Sequence, residues 1–160
     1  MLLTYFTKMA IGFLLLLSKQ GKVRLAKWYD NYSEKEKQRL VREITALIPL
    51  RKPKMCNVLE IEDQKLVYRR YASLFFIAGI NSTENELHTL EVIQRYVEIM
   101  DKAYGNVCEL DIVFNFQLAY AVLDELIIDG VLIESSGGEV LKRVRQIEQV
   151  ENDERIKAGL

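Results

Sequence analysis

The apolar run from Met9 to Leu17 narrows the possibilities for this chain more than any other stretch. A bilayer span takes about 20 consecutive apolar residues, and this run is far shorter, with Thr4, Thr7 and Lys8 interrupting the residues ahead of it. A secretory leader would carry a basic leading region and a small-residue cleavage site, and the stretch reads as neither. The expected place for so dense an apolar segment is the interior of a globular domain, as a buried strand. Met9 is itself a candidate start, which sets residues 1–9 apart as an N-terminal extension.

The residues that follow show how that strand is partnered. "SKQGK" supplies a tight turn, with Gly21 in the turn conformation, and "VRLAKWY" returns as a second strand. Ser33 with Glu36 three residues later forms a capping box, and Leu40, Val41, Ile44, Leu47 and Ile48 recur at helical spacing until Pro49 stops the helix. Beyond the basic connection "RKPKM", the segments "NVLEIE", "KLVYRRY" and "SLFFIAGI" read as three more strands, the first two hinged at "EDQK". Five strands with one helix after the second make an α+β sheet layer. At 160 residues the chain can bury a core as one domain, expected over residues 10–150.

Thr83 and Glu86 offer a second capping box, opening a long helix that ends at Gly105. Leu87, Leu90, Val97, Met100 and Tyr104 form one stripe on it, and Val92, Tyr96 and Ile99 another. A helix apolar on two sides must be covered on two sides, by the sheet on one and by later helices, a ligand or another subunit on the other. Further helices are predicted from Phe116 to Ile128, stopping at Asp129-Gly130, and from Ser136 through Val140, Leu141, Val144 and Ile147. Residues 151–160 read as a polar, frayed tail.

Charge and cysteine content exclude several function classes. Lys and Arg total 22 against 23 Asp and Glu, so no strong net field favours nucleic acid or an anionic membrane, and partners are expected through shape and apolar contact. Cys56, Cys108 and the single His88 lack the spacing of a zinc site or a disulfide framework, and two free thiols suit a reducing cytosol. No cofactor or metal is expected. Cys108 with Glu109 and Asp111 has the residue types of a nucleophile and its helpers, but no base accompanies it, and among Val107, Leu110 and Ile112 it reads as a small core residue. Gly21-Lys22 lacks the spacing of a phosphate loop. Arg69 and Arg70 point to opposite faces of their strand, so at most one is expected to reach a partner, and a solvated or salt-bridged edge is as much expected as a binding role.

The blocks "GKVRLAKWY", "RKPKMCNVLE", "VYRRYASLFF", "NELHTLEVIQRYVE" and "GNVCELDIVFNF", in this order, resemble the small sigma chain of the clathrin-associated adaptor protein complexes. The resemblance runs from Ala10 to about Ile147. "RKPKMC" and "RRYASLFF" are most similar to adaptor complex one, the type working at the trans-Golgi network and endosomes. It implies a longin-like fold, a five-stranded antiparallel sheet flanked by helices, and no catalysis. It also implies a heterotetramer in which a large gamma-type chain cradles the sigma chain beside beta and mu chains, with clathrin and membrane reached through the complex and no nucleic acid. A longin-like structural subunit of another coat, such as the coatomer zeta chain, is the alternative, and would share the sheet without touching cargo.

Sigma chains help recognise cytosolic tails bearing an acidic residue, three arbitrary residues, then Leu-Leu or Leu-Ile. Carried over by position, the dileucine socket falls on Ala72, Leu74, Val97, Val107, Leu110 and Ile112, with Asn106 at its rim and Arg24 facing the signal's acid. Ala72 and Leu74, two apart, are expected on one face of a strand. An empty socket of this kind should stand open to water.

Overall fold

The computed structural model describes residues 11–128, 131–132 and 137–159, with the backbone alone at 131, 132 and 137. The N-terminal extension and the Asp129-Gly130 and Ser136 signals lie outside the described residues. Five strands form one antiparallel sheet: β1 (Ile11–Ser18), β2 (Val23–Trp28), β3 (Val58–Ile61), β4 (Gln64–Tyr71) and β5 (Leu74–Asn81), in the order β2-β1-β5-β4-β3.

The apolar run becomes the central strand. Every residue of β1 is buried, because alternate side chains enter two different cores. Phe13, Leu15 and Leu17 face α1 (Glu34–Leu47), meeting Leu40 and Ile44, while Leu14 and Leu16 face α2 (Glu86–Tyr104). A strand covered on both faces has no polar side to alternate with, which is why its sequence is continuously apolar. The β1–β2 hairpin closes as expected, with Gly21 at φ 85° and its N–H donating to the Ser18 carbonyl at 3.0 Å.

Local signals hold at most helix ends. Ser33 and Glu36 exchange the two hydrogen bonds of a capping box, and Pro49 sits in a single 3₁₀ turn, Ile48–Leu50, that ends the first helix. The start of α2 differs from expectation. Asn85, not Thr83, is the N-cap, its side chain accepting from the N–H groups of Leu87 and His88. Residues 81–84 are used in a turn, Glu84 N–H to Asn81 carbonyl, and Glu86 pairs with Lys65 on β4 at 2.7 Å instead of reaching back to Thr83.

The two apolar sides of α2 are both covered, one by the sheet and the other by α4 (Phe116–Leu126) and α5 (Gly137–Lys157). Tyr96 is fully buried, and its hydroxyl donates to the Ala119 carbonyl at 2.9 Å. Leu87, assigned to a stripe, is 77% exposed in the first turn. The helix expected to reach Ile128 stops at Leu126, where β-branched Ile127 and Ile128 become β6 (Ile127–Ile128), paired with β7 (Val131–Leu132). The tail is not frayed from residue 151: α5 continues to Lys157, extending a helix already anchored by Val140, Leu141 and Val144.

Candidate functional site

The stretch "GNVCELDIVFNF" is a strap followed by a helix that sequence periodicity did not reveal. Gly105 caps α2 at φ 65° and Asn106 follows at φ 69°, so the chain takes two successive left-handed residues and reverses away from the helix axis. Asparagine is among the few side chains that tolerate this region. The reversal drives Val107 back into the core, 2% exposed. Cys108 then starts α3 (Glu109–Phe114), its N–H donating to Asp111 Oδ2 at 3.0 Å.

Asp101, in the last turn of α2, holds the strap in place. Its carbonyl accepts the Asn106 N–H at 3.0 Å, and its Oδ1 accepts the Val107 N–H at 3.1 Å and the Tyr71 hydroxyl at 2.8 Å. One carboxylate thus fastens the end of β4, the end of α2 and the strap. The bond to Asp101 raises the Tyr71 phenol above its ordinary pKa, since the hydroxyl must keep its proton to donate. A second clamp joins the far end of α3 to the same helix: the Tyr104 hydroxyl donates to the Asn115 carbonyl.

Leu74 from β5, Val97 from α2, Val107 from the strap and Ile112 from α3 meet in one core cluster, each between 0% and 2% exposed. Among the described residues the walls of the expected socket are therefore buried against one another and not open to water, as interiors pack. Ala72 corrects a second expectation. It is not on a strand face with Leu74 but in the two-residue turn between β4 and β5, exposed and at φ 52°. Leu110 is 63% exposed on the outer side of α3, and Asn106 is exposed beside it.

Arg24, on β2, has a partner within the chain. Its Nε and Nη2 both donate to Glu109 Oε1, at 2.9 Å and 2.6 Å, with the two side chains 26% and 22% exposed. Glu109, Asp101 and Tyr71 are the residues sequence reasoning missed. The only sequence signal for them was an acid in the last turn of a helix and another in the first turn after it. Glu109 is engaged by Arg24 and Asp111 by the backbone N–H of Cys108 itself, and the thiol is half-buried rather than fully enclosed. His88 is exposed. Among the described residues no group of His, Cys, Asp and Glu could hold a metal ion, and no helix is long and apolar enough to cross a membrane.

Comparison with known proteins places this geometry. The family model of the clathrin adaptor complex small chain matches residues 10–151. The "AP-1 complex subunit sigma-1" of Schizosaccharomyces pombe is 55% identical over 85% of this chain and 84% of its own length. The protein of the same name from Saccharomyces cerevisiae is 51% identical over 94% and 97%. The human "AP-1 complex subunit sigma-1A" is 50% identical over 89% and 90%. In three dimensions, a chain of a homology model of the full-length AP-3 complex in a stretched open conformation superposes with a TM-score of 0.72 at 26% identity, covering 92% of this chain and 98% of that one. With a longin-like sheet, flanking helices and a match of this extent, the chain belongs to the clathrin adaptor complex small chain family.

Proposed function

We propose that the chain is the sigma-type subunit of an adaptor heterotetramer of the AP-1 kind, cradled by a gamma-type large chain beside beta and mu chains. In this reading it works on vesicle carriers between the trans-Golgi network and endosomes and helps bind acidic dileucine signals in cargo tails. The observation that carries the reading is the convergence of an arginine, an asparagine at the strap and an apolar cluster drawn from β5, α2, the strap and α3. That is the pairing of chemistries an acid followed by two leucines needs. Exposed Leu110, Val113, Phe114 and Phe116, gathered within one seven-residue segment, add apolar surface that a lone domain leaves uncovered and a partner chain would cover.

Because Val97 is 2% exposed, a leucine side chain reaches it only by parting the strap from α2. Burying a leucine contributes about 1.5–3 kcal/mol, and two must offset both that displacement and the ordering of the peptide. Affinity near the micromolar range follows, raised in use by several weak contacts on one membrane. The test is calorimetric titration of the purified heterotetramer with an acidic dileucine peptide, using the exposed-rim variant Leu110→Ser and a tyrosine-based peptide for the mu chain as internal control. The variant should weaken the first peptide and spare the second. Full dileucine affinity in the variant, or none in the parent complex, refutes the reading.

A further inference from the structure

A second concavity lies where β3 fails to cover β4. Their register ends at Val58 opposite Val67, with one further bond from the Tyr68 N–H to the Asn57 carbonyl at 2.9 Å, so residues 69–71 form a bare sheet edge. A cavity of about 540 Å3 opens there, lined by Arg51, Lys52, Arg69 and Arg70 over an aromatic floor of Tyr68 and Phe75. No carboxylate lines it, and none of these four cations forms a salt bridge among the described residues. Elsewhere Arg24, Lys27, Arg39 and Lys65 each have an acid, whereas these four cations share one cavity in a chain of net charge -1.

The guanidinium groups are held ready. Arg51 stacks 5.8 Å over the Tyr68 ring and donates to the Tyr68 hydroxyl at 2.9 Å and the Cys56 carbonyl at 2.8 Å. Arg70 stacks 5.8 Å over Phe75. Stacking fixes planar donors around the cavity without neutralising them, and like charges gathered this way are relieved by an anionic ligand. The same loop exposes apolar side chains on either side of its cations: Leu50, 82% exposed, immediately precedes Arg51, and Met55, 44% exposed, follows Lys54. A soluble phosphate or a phosphorylated peptide would give these two no role. A lipid surface engages both kinds of group, cations at the phosphates and apolar side chains at the acyl boundary.

We infer that the 50–55 loop and the bare edge of β4 form a membrane-contacting face that takes the phosphate headgroups of anionic lipids, with Leu50 and Met55 entering the headgroup region. The chain then touches the bilayer directly and not only through its partner subunits. The experiment is flotation of the assembled complex with phosphatidylcholine vesicles, with and without phosphatidylserine and phosphatidylinositol phosphates. Lys52→Glu with Arg69→Glu alters exposed cations whose side chains form no ion pair or hydrogen bond among the described residues, and Leu50→Ser tests insertion separately; Arg51 is left intact because it ties the loop to Tyr68. Partition onto anionic vesicles should fall by at least about fivefold for each cation reversed, roughly 25-fold or more for the pair, and several-fold for Leu50→Ser, with thermal unfolding unchanged. Equal partition of parent and both variants overturns the inference. So does a parent that binds soluble inositol phosphates or a phosphopeptide, loses them on charge reversal, and keeps its vesicle partition throughout.

Discussion

If the chain reads acidic signals as proposed, the Arg24–Glu109 pair makes a sharp prediction about how. In the folded chain Arg24 already donates twice to Glu109 Oε1, at 2.9 Å and 2.6 Å, about three-quarters withdrawn from solvent. A carboxylate arriving on a peptide must displace or share that bond, so its net gain is the small difference between two similar interactions. The ratio of affinities for peptides with Glu or Gln at the acidic position should be about threefold or less, the scale of a partly exposed ion pair. Glu109→Gln keeps the shape but leaves a neutral, weaker acceptor, since charge-assisted bonds are roughly twice as strong. A hydrogen bond between charged groups contributes about 1.5–3 kcal/mol; discounted for exposure to about 1.4 kcal/mol, it gives roughly a tenfold ratio in the variant. The assay is calorimetric titration of parent and variant complexes with the two peptides at low and high salt. The tenfold ratio should shrink as salt rises, and Arg24→Ser should erase it. The same ratio in parent and Glu109→Gln would refute the reasoning, because Glu109 would then not be competing for Arg24.

Gly79→Ala should destabilise the chain by about 3 kcal/mol, at the upper end for overpacking, because the new methyl would fall 2.1 Å from the Phe13 ring, itself wedged against Trp28 and Tyr32; an unchanged thermal midpoint would contradict the packing described. Asp101→Ala leaves the N–H of buried Val107 without its acceptor and frees the Tyr71 hydroxyl to water; the lost Val107 bond should cost about 1–2 kcal/mol, with faster amide exchange at Val107 as the local readout, and protected exchange there would show that the strap needs no such tie. Burial raises the phenol pKa values of Tyr29 and Tyr96 and pushes Tyr104 up to about 12. Above pH 10 the unfolded chain loses these protons before the folded one does, so their contribution is complete below pH 10 and is lost as pH rises toward 12. Urea midpoints should fall over that window, with a further step in tyrosinate absorbance accompanying unfolding, and a midpoint flat to pH 11 would count against the burial.

Features settled by neighbours in the chain were legible in the sequence. The continuous apolar run read as a buried strand, Ser33 with Glu36 as the start of a helix and Gly105 as the end of one, because each depends on burial of a short segment or on hydrogen bonds reaching only three or four residues. The order of blocks along the chain was likewise enough to place it among adaptor small chains, and the family match over residues 10–151 agrees. Where two local solutions competed, the fold chose: Asn85 caps α2 in place of Thr83 because Lys65, on a different element, holds Glu86. Alternation along β4 and β5 suggested a shared face for Ala72 and Leu74, but the register pairing Tyr71 with Leu74 leaves Ala72 in the turn. The partner of Arg24 lies 85 residues away, and Asp101 gathers donors from two other segments. No periodicity encodes such encounters, since they exist only once the sheet and α2 have docked and left-handed backbone at Gly105 and Asn106 has turned the strap back onto them.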